Sequence, residues 1–570
     1  MDTGAVSSID SDGATFVHLR KIRAYHQLTK HMPTRSSPGP GFLDWDNQPD
    51  PFRRWSGSRV IDLPYVSDAP TMSFAKLHQP GAVEPRSLNF ESVGLFLELA
   101  LGLSAWKQHG ETRWALRNNP SSGNLHPTEG YVVLPPLEGV SAYAGTYHYA
   151  PCEHALEERT KLSERVWTKL ISGRSTGWFL AGLSSVHWRE AWKYGERAFR
   201  YCQHDTGHAL GAMGFAAAAL GWRLKYLPEL SDADINGLFG LDRKADFPDA
   251  EIEYPELVVL VGPGPQSIEG QPPGSKDIDL ARRGPWYGRA NALSPSHVEW
   301  PEIDKAALAA AKPRTMTPTM PDNANPVCRT LEIEPLDTLS SSTVVIRRRR
   351  SAVGMDGATS ISRDVFFRML ARTMPDPRVV PWDGFGLPAR ILLVVFVHRV
   401  VGLEPGLYVL MRDRSRVNAF REACRADFAW TAVADEELPL FALQLRDFRD
   451  TAGYISCMQK IASDGAFSLA MVADFQRTLN KEGPWAYRRL FWESGLIGQV
   501  LYLEAELARV QATGIGCYFD DSLHECLGLE RDDDRWQSLY HFTVGGAVLD
   551  DRLVTLPAYD HLPPNRRSSL

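Results

Sequence analysis

Cysteine is scarce in this chain: seven residues in 570 (Cys152, Cys202, Cys328, Cys424, Cys457, Cys517 and Cys526), odd in number, scattered, and never in a Cys-x-x-Cys pair. Such usage indicates neither a disulfide framework nor a zinc site, and the cysteines read as reduced thiols of a cytoplasmic protein. Net positive charge is also lacking. The formal charge of −7 gives no overall attraction to nucleic acid or to anionic membrane, so neither is expected as a partner. Long apolar runs are missing as well: the longest, Ile391 to Val397, is far too short to span a bilayer and reads as a buried strand. The opening MDTGAVSSIDSDGATF has acidic residues and no apolar core of the kind a secretory signal needs.

What the chain does have is 44% hydrophobic and 23% charged residues, the balance of a globular protein able to bury a sizeable core. Its length suggests two to four domains. Two small-residue-rich stretches, GERAFRYCQHDTGHALGAMGFAAAALG (195–221) and GPWAYRRLFWESGLIGQVLYLEAELAR (483–509), can be laid over each other. One shift of 288 positions pairs Gly195 with Gly483, Ala198 with Ala486, Arg200 with Arg488 and Gly207 with Gly495, and without a gap it also pairs GLDR (240–243) with GLER (528–531). Upstream, Gly-x-Tyr recurs at Gly145/Tyr147 and Gly406/Tyr408. An ordered series of matches over both halves argues for an internal repeat, two copies of one α+β domain.

The expected organisation is an N-terminal extension (1–70), a first domain (71–265), a Pro/Gly-rich linker (266–340) and a second domain (341–560). The linker shows little periodicity and is expected to lie over the surface. Periodicity predicts helices over 91–103 and 206–220, the second apolar nearly all round and therefore buried. Strands are predicted over 130–134 and 391–397, with 342–346 strand-like too. Few strands per copy and no βαβ alternation favour α+β over a doubly wound sheet.

Three segments are candidates for chemistry. Pro120-Ser121-Ser122-Gly123-Asn124 offers backbone N–H groups, two hydroxyls, an amide and a glycine that permits close approach; composition alone leaves it open between a binding loop and an ordinary turn. Arg347 to Arg350 followed by Ser351 can hold a phosphate monoester through charge-assisted bonds, or form a solvated basic patch. Thr513-Gly514-Ile515-Gly516-Cys517 is a glycine pair after a long helix, readable as a close-approach segment or as a helix cap. His204, Asp205 and His208 have helical spacing that suits a metal, but no third ligand of recognisable spacing accompanies them, and structural or pocket histidines are the simpler reading. Glu482, Glu493 and Glu504 read as packing and surface charge, and Asp520-Asp521 with Glu530, Asp532, Asp533 and Asp534 as solvated loop.

Together, Arg-Arg-Ser, Pro-Ser-Ser-Gly, a buried small-residue helix, a glycine-rich segment and a closing Val-Gly strand resemble the FMN-dependent nitroreductase superfamily. The segments AYHQLTKHMP (24–33), LDWDNQPDPF (43–52), RNNPSSGNLHPTEGYVV (117–133) and WKYGERAFRYCQHDTGHA (192–209) more closely resemble its SagB/ThcOx-type dehydrogenases. The resemblance implies two nitroreductase-like domains, each a mostly antiparallel sheet flanked by helices, fused as a pseudo-dimer. It implies FMN at the interface between subunits, with Arg-Arg-Ser from one and the Pro-Ser-Ser loop from the other.

The first copy has KLHQPGAVEPRSLNF where Arg-Arg-Ser belongs, and the second has WDGFGLPARI where the Pro-Ser-Ser loop belongs. The losses are complementary, so one FMN per chain is expected. The phosphate would lie on Arg348, Arg349 and Ser351, with Arg349 favoured by spacing. Pro120, Ser121, Ser122 and Asn124 would meet the ring and ribityl chain, and the backbone of Gly514, Ile515 and Gly516 would approach the ring.

The resemblance also points to Lys193-Tyr194 as catalytic, since azoline oxidases of this type carry a Lys-Tyr motif in a comparable place. Dehydrogenation removes a proton as well as a hydride, and a lysine drawn partly out of water gives up its own proton more readily and so serves as base. The implied activity is an oxidoreductase that passes hydride to flavin N5 from a small-molecule or modified-peptide substrate, with O2 as electron partner and a biosynthetic enzyme as companion. The alternatives are an NAD(P)H-dependent nitro- or quinone-reductase and, in another class, a degenerate non-catalytic scaffold.

Overall fold

A computed structural model describes residues 6–66, 72–171, 177–263, 270–316, 340–433, 438–530, 534–563 and 566. Two seven-stranded sheets dominate it. The first runs Val60–Asp62, Ala155–Leu162, Ala144–Ala150, Thr128–Leu134, Phe179–Ser185, Tyr254–Pro263, Trp222–Tyr226. The second runs Thr431–Ala432, Leu440–Leu445, Gly406–Leu410, Ile391–Val397, Phe467–Asp474, Trp536–Gly545, Gln511–Ile515. Every pairing within both is antiparallel.

From the second strand of each sheet onward, the order of strands along the chain is the same. The helices correspond as well: His187–Tyr194, Ala198–Ala219 and Asp232–Phe239 each begin and end 288 positions before Phe475–Glu482, Ala486–Leu507 and Asp520–Leu527. The recurrent Gly-x-Tyr has a physical reason. In each copy the strand beside the central one carries it, and the tyrosine ring lies over its own glycine, so that a Cβ at Gly145 or Gly406 would stand 3.2 Å from the ring.

Seven consecutive buried residues make Ile391–Val397 a central strand, and Thr128–Leu134 is buried along its whole length. Helix Phe90–Leu101 starts at a capping box in which Asn89 accepts from the Ser92 amide at 2.8 Å and the Asn89 amide donates to Ser92 Oγ at 2.9 Å. The two long helices, Ala198–Ala219 and Ala486–Leu507, are buried almost throughout and pack on each other in the middle of the molecule. Their crossing requires glycine on both sides: a Cβ at Gly207 would lie 2.2 Å from the Trp492 carbonyl oxygen, and one at Gly495 would lie 2.1 Å from that of His204.

The chain ends tie the halves together. Helix Val6–Leu28 places His26 against Tyr487 and Gln537, and Lys30 then reaches Asp521. At the other end Val554–Leu556 adds a strand to the hairpin Leu103–His109 and Thr112–Arg117.

Several local expectations are corrected. Residues 342–346 are not strand but the start of helix Ser342–Arg348, where burial of Val345 and Ile346 overrides β-branched propensity. Gly514 lies on the strand Gln511–Ile515 rather than at a helix cap. The stretch expected to lack periodicity holds the helices Ser275–Arg282 and Pro301–Ala309, with Ile278, Ile303, Ala306 and Ala309 buried; residues 317–339 of it lie outside the described residues. Glu493, Glu504 and Asp520 are not surface charge, being buried and paired with Arg412, Arg368, and Arg197 with Arg200.

Candidate functional site

The four arginines at the end of helix Ser342–Arg348 turn in different directions because the chain leaves the helix at Arg349 (φ −48°, ψ 128°). Arg347 pairs with Glu98 at 2.9 Å, and Arg348 turns outward to Glu506 at 2.9 Å, away from the other candidate residues. Arg350 is held by the carbonyls of Arg347 and Arg349 at 2.7 Å and of Ser104 at 3.1 Å.

Arg349 differs. It is 4% exposed, its guanidinium lies 5.0 Å from the centre of the Tyr502 ring, and Nη2 donates to the Arg117 carbonyl at 2.8 Å. Its Nε has no partner among the described residues, and burial lowers its pKa. Beside it the hydroxyls of Ser351 and Tyr502 stand 2.9 Å apart, and Tyr502 accepts from the Gly514 amide at 3.0 Å.

The Arg117 carbonyl that meets Arg349 leads directly into the polar loop of the other half. Three residues of that loop, Gly123, Asn124 and His126, have left-handed backbone (φ 60°, 60° and 53°). Asn124 holds the bend by donating to the Ala115 carbonyl at 2.9 Å and contacting His126 Nε2 at 3.0 Å. Ser121 Oγ accepts from the His126 amide at 2.8 Å. Buried polar atoms without partners among the described residues cluster here: Arg117 Nε, Asn118 Oδ1, Asn119 Oδ1 and His204 Nδ1, besides Arg349 Nε. In a finished protein core such atoms are rare, whereas a polar ligand site presents them.

Two acids absent from the sequence-derived site stand behind the loop. Asp205 Oδ1 accepts from the Ser122 amide at 3.1 Å and from Ser122 Oγ at 3.0 Å, and Glu190 faces both Ser121 and Asp205. Burial pushes the Asp205 carboxyl up to about 7 against the hydrogen bonds from Ser121 and Ser122. Burial and the Asp205 charge push Glu190 well up. The two carboxyls act on each other, so the charge of one opposes ionisation of the other. Asp205 was visible only as part of a His-Asp-His spacing; Glu190 sits on an amphipathic helix where an acid attracts no notice.

Lys193 and Tyr194 are at the same loop. A Cβ on Gly123 would lie 2.5 Å from the Tyr194 hydroxyl and 3.2 Å from Lys193 Nζ. Tyr194 packs on Tyr201 with ring centres 4.5 Å apart, and Tyr201 donates to the Gly516 carbonyl at 3.0 Å. The rings of Tyr201 and Tyr540 cover Gly516 and Gly514. His208 Nε2 meets the Tyr540 hydroxyl at 3.1 Å, and His204 Nε2 meets the Leu539 carbonyl at 3.0 Å. One continuous series of contacts therefore joins Arg349, Ser351, Gly514, Ile515, Gly516, Pro120 to Asn124, Lys193 and Tyr194. Arg348 stands apart.

The equivalent place in the other half is built differently. Glu493, 288 positions after Asp205, is paired with Arg412 and accepts the Arg390 amide at 3.0 Å. No Pro-Ser-Ser loop stands there among the described residues, and the residue 288 positions after Glu190 is Thr478, so there is no second acid.

No curated protein sequence matches the chain. Its fold resembles a crystal structure from Anabaena variabilis ATCC 29413 described as a nitroreductase, with a TM-score of 0.66, 22% identity, and coverage of 93% of this chain and 99% of that one. Partial likenesses include the microcin synthetase McbBCD of E. coli bound to truncated pro-MccB17 (20% identity, 32% and 66% coverage, TM-score 0.26). Another is a nitroreductase from Exiguobacterium sibiricum 255-15 in complex with FMN (14% identity, 38% and 94% coverage, TM-score 0.22). Residues 107–252, which hold the polar loop, Lys193, Tyr194 and Asp205, match the nitroreductase family model.

Proposed function

We propose that the chain is an FMN-dependent oxidoreductase of the SagB/ThcOx dehydrogenase type, a fused pseudo-dimer with one FMN between its halves. The observation that carries this reading is Arg349: a buried guanidinium with a partnerless Nε from one half, set against the carbonyl that opens the polar loop of the other. Removing a charge from water costs several kcal/mol unless a partner is supplied, and a phosphate supplies it.

The residues present fit FMN at its phosphate end, where Arg349 and Ser351 would hold it. The Ser121 to Asn124 loop would meet the ribityl chain and ring, and Tyr194, Tyr201 and Tyr540 would offer aromatic faces. When bound, FMN supplies a two-electron hydride acceptor. The chain supplies the proton chemistry. Lys193 Nζ, beside Gly123, is read as the base that takes up the proton a substrate loses, and the neighbouring Tyr194 hydroxyl, kept protonated by burial, as a hydrogen-bond donor. The Glu190/Asp205 pair holds an exchangeable proton behind Ser121 and Ser122. Substrates of this reading are small molecules or modified peptides, with O2 as electron acceptor.

Purified protein should be yellow, and Arg349→Ala should lose its flavin while remaining folded. The tyrosines packed on Gly123, Gly514 and Gly516 favour a second reading, a scaffold that has lost its cofactor. Colourless protein that takes up no added FMN would decide for the scaffold. Rapid anaerobic bleaching of the flavin by NADH or NADPH would decide for a reductase over a dehydrogenase.

A further inference from the structure

Cys457 and Cys517 lie sixty residues apart in sequence, yet their Sγ atoms are 2.7 Å apart. That is within an ångström of the disulfide bond length of about 2.05 Å. The backbone builds this approach. The Phe519 amide donates to the Ile455 carbonyl at 2.7 Å, and the Gln459 side-chain amide donates to the carbonyls of Ser456 at 2.8 Å and Cys517 at 2.9 Å. Cys457 and Met458 both hold left-handed backbone, φ 54° and 59°, a conformation unfavourable for such side chains unless the surroundings impose it. Cys517 is exposed and Cys457 half-buried, so the outer sulfur is open to a small oxidant and the inner one is within reach behind it.

We propose that Cys457 and Cys517 form a redox-active pair that a hydroperoxide converts to an intramolecular disulfide. The Cys517 thiolate attacks the peroxide O–O bond, forming an S–O bond and releasing an alcohol or water as the leaving oxygen takes up a proton. The Cys457 thiol then attacks the sulfenic sulfur: the S–S bond forms, the S–O bond breaks, and the departing hydroxyl leaves as water with the Cys457 proton. The two sulfurs give up two electrons and the peroxide accepts them. The hydrogen bond with Cys457 lowers the Cys517 pKa, with burial opposing and Arg197 assisting, which favours Cys517 as the attacking sulfur.

The disulfide would fix the 455–459 turn to the segment that follows Gly516. The carbonyl of Gly516 anchors Tyr201 and accepts from Arg197 at 3.2 Å, so oxidation would set the position of one wall of the candidate site. The pair itself stands on the two sulfurs and does not depend on flavin.

The test is thiol mapping of the full chain. Reduced protein is treated with hydrogen peroxide, alkylated, digested without reductant and analysed by mass spectrometry. The expected result is loss of two thiols with a peptide cross-linked through Cys457 and Cys517, reversed by dithiothreitol. In Cys457→Ser, Cys517 should go on to sulfinic acid instead. Wild-type protein whose two thiols persist, oxidise separately, or link to other cysteines overturns the proposal, and that arm does not depend on the variant folding.

Discussion

A guanidinium held at 4% exposure against one carbonyl and the Tyr502 ring is an expensive arrangement, and Arg349 is the residue where a phosphate would make it favourable. A charge-assisted hydrogen bond contributes about 1.5–3 kcal/mol, so Arg349→Ala should weaken flavin binding roughly 10- to 150-fold by titration with FMN, while Arg348→Ala, whose side chain pairs with Glu506, should change it little. Lys193→Ala should keep its flavin and lose turnover. Asp205, raised to about 7, predicts an activity profile that climbs through neutral pH as the acid pair gives up its proton; Asp205→Asn should abolish that transition, and a profile unchanged by the substitution would contradict the role. At this scale the sequence showed the residue types but not their partners. Arg349 and Arg348 are indistinguishable in a run of four arginines until the helix end sends one inward. Glu190 and Asp205 are fifteen residues and one bend apart, and only the fold brings their carboxyls together behind Ser121 and Ser122.

The two long helices cross through Gly207 and Gly495, the same pair the sequence shift of 288 brings into register. Gly207→Ala forces a methyl group against the Trp492 backbone, and overpacking of this kind costs about 1–3 kcal/mol, to be read as a lower urea midpoint. A second device lies on the first sheet, where His148 bridges Glu129 at 3.0 Å and Glu157 at 2.8 Å across neighbouring strands. Burial alone would lower His148, but these two hydrogen-bonded acids raise it to about 9. Burial alone would raise Glu129, but Arg189 and His148 hold it well down. A raised histidine stabilises fully below its unfolded pKa of about 6.5 and loses that contribution as pH rises through about 9. A depressed acid stabilises above its unfolded value of about 4.3 and loses the contribution on acidification. Stability should therefore fall on both sides of this window, and His148→Gln should flatten the alkaline limb of a denaturation-midpoint profile. Elements were legible where the pattern was local and uninterrupted, as in 391–397 and the small-residue helices. The helix over 342–348 was not, because β-branched residues favour strand until buried contacts with the first half decide otherwise.

Across the whole molecule the halves share strand order, helix spacing and a central crossing, but differ in what stands at the two equivalent clefts. One has the polar loop, the inward arginine and the facing acids Glu190 and Asp205; the other has Glu493 paired with Arg412 and accepting the Arg390 backbone amide. The repeat was readable because 288 positions separate matching helices without insertion from 187 to 239. The buried pairing of Asp520 with Arg197 and Arg200 was hidden, since more than three hundred residues separate the partners and a double aspartate looks like a solvated loop. The central claim, a single composite flavin site made from both halves, is tested most directly by the FMN-to-chain ratio of purified, FMN-saturated protein, measured by flavin absorbance after denaturation against protein mass. The account predicts one FMN per chain; a ratio of two, or of zero after reconstitution, would contradict it.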